Sequence, residues 1–599
     1  MIDKLPQEHC TGCNVCIDAC PVDAIGLRTN NDGFWYPQID PAKCIKCNIC
    51  EKSCPVLDLS KLKEHDHIEP ICYAAIHKDV EIRFDSTSGG VFSALAEEMY
   101  NRSGYVGGAI YTSEFAVRHF ISNNKADLDK LRQSKYSQSQ TIGIFRKIKQ
   151  LLDDENEVLI CGTPCQMSGL RTYLNKDYPN LIIVDFICKS ITSPLFFKLY
   201  LNHYEQKYKS KIVRFKFKDK GLGWRSLVKR LDFANGKTEY SRIQDGDLYS
   251  KAYHSNLVSR PSCYNCQFKG YPRYADITIA DFWGVEHYHT ELDDNAGTSA
   301  IIINTEKGVK YFEAIRAKLS LQPTRLSNIQ KHNPALTDTQ STPDRSRDAF
   351  FNELNETNFE HLINQYTSHQ KKSFREKSSH ILRFIRMILA HSRCRPKPLW
   401  QFVKYNFLYK KIHTNWETFG FLFPATHAAI DISNKAEIIL NGPLIIGMMK
   451  VNRSSKVETR LSVKGTLVIK EEFRIAYGSN IEVFKDGYLE VGNCGTNYNC
   501  TIICGKKIIL DGRVTLGRDV NIRDTNAHHI VIDGYKVLRP VYIGNHVWLC
   551  SGCDIMPGVK IKDGCVISSK SVVTSNIPAH SLASGNPAKV IMNDVKWYL

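Results

Sequence analysis

Long uncharged apolar runs are missing from this 599-residue sequence, so no segment is built to cross a bilayer. A secretory leader is missing as well, and an odd total of 21 cysteines cannot all pair. These absences argue against an exported disulfide-stapled protein and lead us to expect a reducing cytoplasm. Acidic residues are nearly absent from residues 371–411. Twelve Lys and Arg stand there against Glu376 alone and supply eleven of the net charge of +17. No recognition motif accompanies that charge, so nucleic acid is not an expected partner. The remainder is ordinary: 43% hydrophobic and 24% charged residues describe folded soluble domains, and the length allows several.

What the sequence does have is a doubled cysteine motif. Cys10, Cys13, Cys16 and Cys20 precede Pro21, and Cys44, Cys47, Cys50 and Cys54 precede Pro55. Each set reads C-x2-C-x2-C-x3-C-P, the spacing of two-cluster bacterial ferredoxins. In that pattern three thiolates wrap one cubane and the fourth reaches the other. Cys10, Cys13, Cys16 and Cys54 are thus expected on one [4Fe-4S] cluster, and Cys44, Cys47, Cys50 and Cys20 on the second. Zinc sites use pairs of C-x2-C rather than triplets closed by C-P, which sets that alternative aside. The chain therefore handles single electrons at low potential, in an organism expected to have anaerobic habits.

Residues 71–330 alternate β-rich runs with helical stretches, the pattern of an α/β or α+β domain. VLICGTPCQM and LIIVDFICKS each read as a buried strand ending at a cysteine, and strand ends are where such sheets present ligands. Cys165, Cys188, Cys263 and Cys266 could make a third cluster site, although scattered positions do not establish one by spacing. The segments DSTSGGVFSALAEEMY, CGTPCQMSGLRTYL, CYNCQFKGYPRYADITIADFWG and GTSAIIINTEKG resemble the beta-subunit family of coenzyme F-420 hydrogenases and dehydrogenases over residues 70–320. The resemblance implies a flavin (FAD or FMN), an electron donor such as reduced ferredoxin, and one further [4Fe-4S] cluster on Cys165, Cys188, Cys263 and Cys266. That makes three clusters in all. Cys72 and Cys161 lie outside the matching positions and read as small buried hydrophobes. Ser88, Gly89 and Gly90 would open a helix whose bare N–H groups suit a flavin phosphate or ring edge. Lys135 and Tyr136 fall in another segment resembling a cofactor-facing one. The family often has Cys-His-Gly where this chain has Cys188-Lys189-Ser190, a departure at the substrate end of the site.

The pattern then changes to a six-residue repeat. Ile502, Ile508, Val514 and Val520 form one apolar column, and Cys504, Leu510, Leu516 and Ile522 another. The repeat resumes at Val541, Val547, Cys553, Val559 and Cys565, beside Ile543, Leu549, Ile555, Ile561, Ile567 and Val573. Such a period predicts a hexapeptide parallel β-helix, left-handed, with the columns stacked in its core. Between Val520 and Val541 the step is not a multiple of six, so RDTNAHHIVIDGYKVLRP must leave the coil as a loop.

Residues 430–599 resemble the hexapeptide acyltransferases, near the sugar O-acetyltransferases. By that resemblance His528 occupies the position of a general base, suited to neutral pH by the ordinary imidazole pKa near 6.5. Asp524 would orient it or only shape the turn, and His529 is a bystander. Ser551, Ser569, Thr574, Ser575 and Lys589 would line the groove for acetyl-CoA, with Lys589 facing a CoA phosphate. The family implies a homotrimer with sites between coils.

The expected architecture is multidomain. An α+β two-cluster ferredoxin module spans residues 1–60 and an α/β flavin iron–sulfur domain 70–370. A basic helical connector spans 371–425 and a hexapeptide-repeat acetyltransferase domain 426–599. In the connector, Leu382, Ile385 and Leu389 share one helical face and Arg383 and Arg386 another, with Pro396 and Pro398 interrupting further on. It reads as an interdomain linker with a solvated basic face; the alternative is peripheral contact of 371–411 with an anionic membrane. The expected function is bifunctional. An iron–sulfur flavoprotein oxidoreductase is joined to an acetyl-CoA-dependent O-acetyltransferase acting on a sugar, nucleotide-sugar or lipid-linked saccharide in surface polysaccharide assembly. The rival is an electron-transfer or redox-sensing protein that the β-helix merely trimerises.

Overall fold

The computed structural model describes residues 2–59, 62, 67–343, 347–367, 374–448, 457–528, 530–531 and 534–598, with the side chains of 374–380 left aside. His529, Lys371 and Lys372 lie outside the described residues, and so do the side chains of Arg375 and Lys377. The chain divides into two compact units. The first comprises Met1–Leu231, Tyr240–His369 and Tyr598–Leu599, the second Asp232–Glu239 and Gln370–Trp597. The module expected at 1–60 is therefore part of the same compact unit as the domain expected after it.

In the first unit the doubled motif folds twice in the same way. Strands β1 (Ile25–Thr29) and β2 (Trp35–Ile39) form an antiparallel hairpin. Each motif supplies one short helix, α1 (Val15–Asp18) and α2 (Ile49–Lys52). Asn14 and Asn48 precede them with φ of 62° and 59°, a conformation asparagine tolerates.

The larger part of the unit is a mixed eight-stranded sheet. It contains β3 (Ile71–His77), β4 (Tyr105–Tyr111), β5 (Val117–Ser122), β6 (Val158–Gly162) and β7 (Leu181–Phe186). It is completed by β8 (Ile277–Asp281), β9 (Ser299–Ile303) and β10 (Leu319–Thr324), in the order β10-β3-β9-β8-β7-β6-β4-β5. The central strands β8, β7, β6 and β4 are parallel and the flanking pairings antiparallel. Their near-continuous apolar runs are buried, as for strands covered on both faces. The two strands expected to end at a cysteine stop short of it, at Gly162 and Phe186, and each delivers a cysteine just beyond its end. β6 leads through Thr163 into α3 (Pro164–Leu174), which carries Cys165, and β7 leads to Cys188. The C-terminal ends of parallel strands thus open onto one side, where such sheets bind ligands.

The second unit is a three-sided coil of parallel strands. One face stacks Leu440, Ile469, Val491, Leu510, Ile543 and Ile561 in register. The next stacks Leu516, Leu549, Ile567 and Ala583. The third stacks Leu461, Ile481, Ile502, Ile522, Ile555 and Val573. The columns read from the six-residue period meet in a single core, nearly all of it at 0% exposure. The coil breaks where the phase breaks. The strand Asn521–Arg523 is followed by Val541–Ile543, and the intervening chain leaves through a neck closed by the Thr525–Leu538 bridge.

Before the coil, a helix over Phe374–Ser392 and a second over Pro396–Val403 cover the first turns. Phe384 and Phe402 pack with Phe419, Phe421, Phe423 and Ile445, and Met387 and Ile388 join them. The apolar face marked by Leu382, Ile385 and Leu389 is the other one: these side chains are 51%, 43% and 45% exposed.

Candidate functional site

The cysteines named from the sequence fall in three neighbourhoods of the first unit. Cys10, Cys13, Cys16 and Cys54 are all buried. Burial pushes the Cys13 thiol up to about 12, with the neighbouring Cys54 the next cause. Cys16 is pushed up by burial and then by Cys13, Cys10 and Cys54. Thiols raised by burial and by one another become thiolates together only when a metal centre supplies positive charge. The second group is open: Cys20, Cys44, Cys47 and Cys50 line one cavity, with Cys47 exposed. The third comprises Cys165, Cys188, Cys263 and Cys266, which line one cavity together with Lys269 and Arg273. Burial pushes Cys263 up to about 11, and Lys269 donates to the Cys188 carbonyl at 2.5 Å. The first and third groups adjoin. Gly169 of α3 packs against Cys13, the charge of Cys13 is felt at Cys165, and Thr11 lines the third cavity. Among the described residues no group of three or more His, Cys, Asp or Glu converges as for a single metal ion.

A larger cavity of about 230 Å³ shares Cys165 and Cys188 as part of its wall. Another part of its wall comes from Ser88, Gly90 and the first turn of the helix Val91–Asn101 that the Ser88-Gly89-Gly90 turn opens. Ser88 and Gly90 face the cavity, with Gly90 at φ 92°. Gly89 does not line it. A Cβ there would stand 2.2 Å from the Ala75 carbonyl, so this glycine lets the turn lie against the sheet. Lys135 and Tyr136 also line the cavity, as the resemblance implied. The Lys135 ammonium donates to the carbonyls of Lys130, Leu131, Arg132 and Gln133 at 2.7–3.3 Å, while burial lowers its pKa to about 7. Lys218 pairs with Asp281 at the end of β8. Cys161, expected to be an inert buried residue, lines this cavity at the end of β6; Cys72 is buried in an apolar cluster. His119 is a wall residue that sequence reasoning missed. Burial lowers its pKa to about 4, against an opposing pull from the Cys161 backbone; Nδ1 meets Ser139 Oγ at 2.7 Å, and Nε2 has no geometrically sound hydrogen-bond partner among the described residues. A cavity with an orphaned imidazole nitrogen, cationic side chains, a glycine-opened helix end and two cysteines of the third group fits an anionic aromatic cofactor.

In the second unit His528 stands exposed on the loop beyond the neck. Its backbone is set by a bond from its N–H to the Asn526 carbonyl at 2.7 Å, and Asn526 in turn donates to Tyr535 at 2.9 Å. Asp524 does not orient it. This fully buried carboxylate accepts from the backbone N–H groups of Gly505, Lys506 and Lys507 at 2.6–2.7 Å, so it anchors the corner beneath the neck. Of the residues expected for CoA, Ser551 and Ser569 sit at one stacked corner, joined by the Lys570 N–H to the Ser551 carbonyl at 2.9 Å. Lys589 lies on the final strand Ala588–Met592, opposite Ser584. Thr574 and Ser575 follow the strand Val572–Val573 at the next corner. All five are exposed.

These features define an iron–sulfur redox unit followed by a hexapeptide-repeat unit. Residues 9–57 match the 4Fe-4S dicluster domain. Residues 72–146 and 155–327 match the N-terminal and C-terminal domains of the coenzyme F-420 hydrogenase/dehydrogenase beta subunit, and residues 540–575 the bacterial transferase hexapeptide. The chain belongs to the coenzyme F-420 hydrogenase/dehydrogenase beta-subunit family with an N-terminal dicluster domain, fused to a hexapeptide-repeat acyltransferase. It is 35% identical over 146 residues to a Saccharomyces cerevisiae protein named as an acetyltransferase, covering 23% of this chain and 70% of that one. It is 34% identical over 119 residues to the galactoside O-acetyltransferase of Escherichia coli K12, covering 19% of this chain and 55% of that one. The F-420-reducing [NiFe] hydrogenase complex of Methanosarcina barkeri is a solved structure with a matching chain. The match has 16% identity and a TM-score of 0.32, and covers 46% of this chain and 90% of that one.

Proposed function

We propose that the first unit is a flavin-dependent iron–sulfur oxidoreductase and the second an acetyl-CoA-dependent O-acetyltransferase acting on a sugar or saccharide precursor. The observation that carries the first assignment is one cavity lined by Cys165 and Cys188 together with Ser88 and Gly90. Cys20, Cys44, Cys47 and Cys50 would hold the cluster open to a ferredoxin-type donor, and Cys10, Cys13, Cys16 and Cys54, with Cys165, Cys188, Cys263 and Cys266, would hold two further clusters able to carry single electrons. When bound, FAD or FMN would turn single electrons into a two-electron reduction. Ser88, Gly90, Lys135 and Tyr136 would hold that cofactor, and the buried wall would keep water from it.

In the second unit the His528 imidazole takes the proton of an acceptor hydroxyl as its oxygen attacks the acetyl-CoA thioester carbonyl. The tetrahedral adduct collapses, the C–S bond breaks, and the imidazolium returns the proton to the departing CoA thiolate. Ser551, Ser569, Thr574, Ser575 and Lys589 would hold the CoA. The coil would be left-handed and trimeric, with each site completed by a neighbouring coil. The exposed Ile381, Leu382, Ile385 and Leu389, set among the cationic residues of 371–411, suit an anionic membrane surface where a lipid-linked saccharide would be met. The polysaccharide setting rests on the sugar O-acetyltransferase relatives.

Anaerobic purification with iron, sulfide and flavin assays tests the first assignment. Incubation with acetyl-CoA and a panel of nucleotide sugars, with free thiol as readout, tests the second. Protein lacking flavin would overturn the first, and no thiol release with any acceptor the second.

A further inference from the structure

Arg260 is 0% exposed, and among the described residues no carboxylate pairs with it. Its guanidinium donates from Nε to the Cys10 carbonyl at 2.9 Å, from Nη1 to Gln138 Oε1 at 3.0 Å, and from Nη2 to the Trp35 carbonyl at 3.1 Å. Nη2 also faces Cys10 Sγ at 3.7 Å. Its flat faces meet aromatic rings, with Cζ 4.1 Å from the Tyr36 centroid and 5.4 Å from that of Phe34. Every protein acceptor it finds is neutral apart from the cysteine sulfur. A buried guanidinium without a counter-ion costs several kcal/mol, so the anion it needs must come from what the cysteines hold.

The position of Arg260 gives it access to two such anions. Its own carbonyl accepts the Cys263 N–H at 2.9 Å, three residues along the chain. Arg260 therefore touches Cys10 of the first group and leads directly into Cys263 of the third. Among the described residues that line the cavity of Cys20, Cys44, Cys47 and Cys50, the one Lys or Arg is Lys46. Gly12 in the first and Lys46 in the second occupy equivalent places with φ of 71° and 58°. A Cβ on Gly12 would stand 2.6 Å from Gln138 Nε2 and 2.9 Å from Arg260 Cζ, whereas Lys46 is exposed. The two motifs differ, then, in that the first is shaped around a buried cation.

We propose that Arg260 is a positioning and tuning residue, the shared counter-ion of the cluster on Cys10, Cys13, Cys16 and Cys54 and of the cluster on Cys165, Cys188, Cys263 and Cys266. The inference rests on reading those cysteines as cluster ligands. A cluster gains one negative charge with each electron it accepts, and a fixed cation beside it favours the reduced form. Net charge and hydrogen bonds to sulfur set such potentials. Arg260 holds both potentials up, while the open cluster of Cys20, Cys44, Cys47 and Cys50 stays outside its influence.

The test is an EPR-monitored redox titration of the full iron-loaded chain. Arg260→Gln, which removes the charge, should move the potentials of both flanking clusters to more negative values and leave the open cluster unmoved. Arg260→Lys, which keeps the charge, should hold them near wild type. Arg260→Gln with full iron and unmoved potentials would overturn the proposal, as would an equal shift in all three clusters. Should Arg260→Gln fail to load iron, Gln138→Glu decides. It sets a carboxylate 3.0 Å from Nη1, and lowered flanking potentials support the proposal while unchanged ones overturn it. Wild-type protein with about eight irons, the content of two cubanes, would instead remove the third cluster and the reading beneath the inference.

Discussion

The two reactive centres are built in opposite ways. In the first unit the ionisable groups are walled in: Cys10, Cys13, Cys16 and Cys54 are buried, burial displaces His119 and Lys135 from their ordinary pKa values, and Arg260 has no solvent. In the second unit His528 stands in the open, and burial is reserved for Asp524, which holds backbone. Electrons can tunnel through packed protein, so a redox centre can afford enclosure. The base proposed at His528, which has to meet an acceptor hydroxyl, cannot. The sealed centre should therefore answer to changes of charge, the open one to loss of a single functional group.

The largest effect expected is at the open centre. His528→Ala should lower acetyl transfer by on the order of 100- to 10,000-fold, measured as thiol release, while reduction of the first unit by dithionite is unchanged. Equal loss of both activities would break the contrast. Cys165→Ala should cut iron from about twelve to about eight atoms per chain, counted as cubanes, without unfolding residues 1–58. Asp524→Ala should act on the fold rather than the chemistry. It strands three backbone N–H groups and should cost about 3 kcal/mol in the unfolding of the second unit, with the folded fraction still transferring acetyl groups. A full loss of transfer in folded protein would return Asp524 to the active site.

At the sealed centre the contrast is sharpened by pH. The His119 pKa is about 4 folded and near 6.5 unfolded, so the unfolded chain binds its proton more readily. The stability from keeping this ring neutral is present above pH 6.5. It is lost as pH falls toward 4, by about 3 kcal/mol over that window. Urea unfolding of wild type against His119→Gln should show that loss in wild type alone. The smallest effect concerns the basic segment: each Lys or Arg near an anionic vesicle contributes about 1 kcal/mol, and sedimentation with such vesicles should weaken as salt rises.

Legibility in the sequence followed distance along the chain. The two cysteine motifs were readable because each cubane draws three ligands from seven residues, and the coil because a six-residue period repeats the same local choice. The loop announced itself by breaking that period between Val520 and Val541. Arg260 left no such mark. Nothing local distinguishes an arginine three residues before Cys263; its role appears only when Cys10, Trp35 and Gln138 are folded around it. His119 was silent for the same reason. The helix over Phe374–Ser392 carries two apolar stripes, and periodicity could not say which would meet Phe421 and Phe423. Asp524 was seen but could be read two ways, and the amides that claim it lie 17 to 19 residues upstream.

The Thr525–Leu538 bridge makes the excursion that bears His528 a cassette. The coil closes beneath it, with Ile508 stacked on Val541 and Ile522 on Ile555 as though the intervening chain were not there. Loop length and composition can then drift without disturbing a core register, since nothing above the neck carries the columns. On the proposed function, one trunk can thus be refitted for a different acceptor by exchanging a short piece of chain, which separates the evolution of acceptor choice from the evolution of the coil's core.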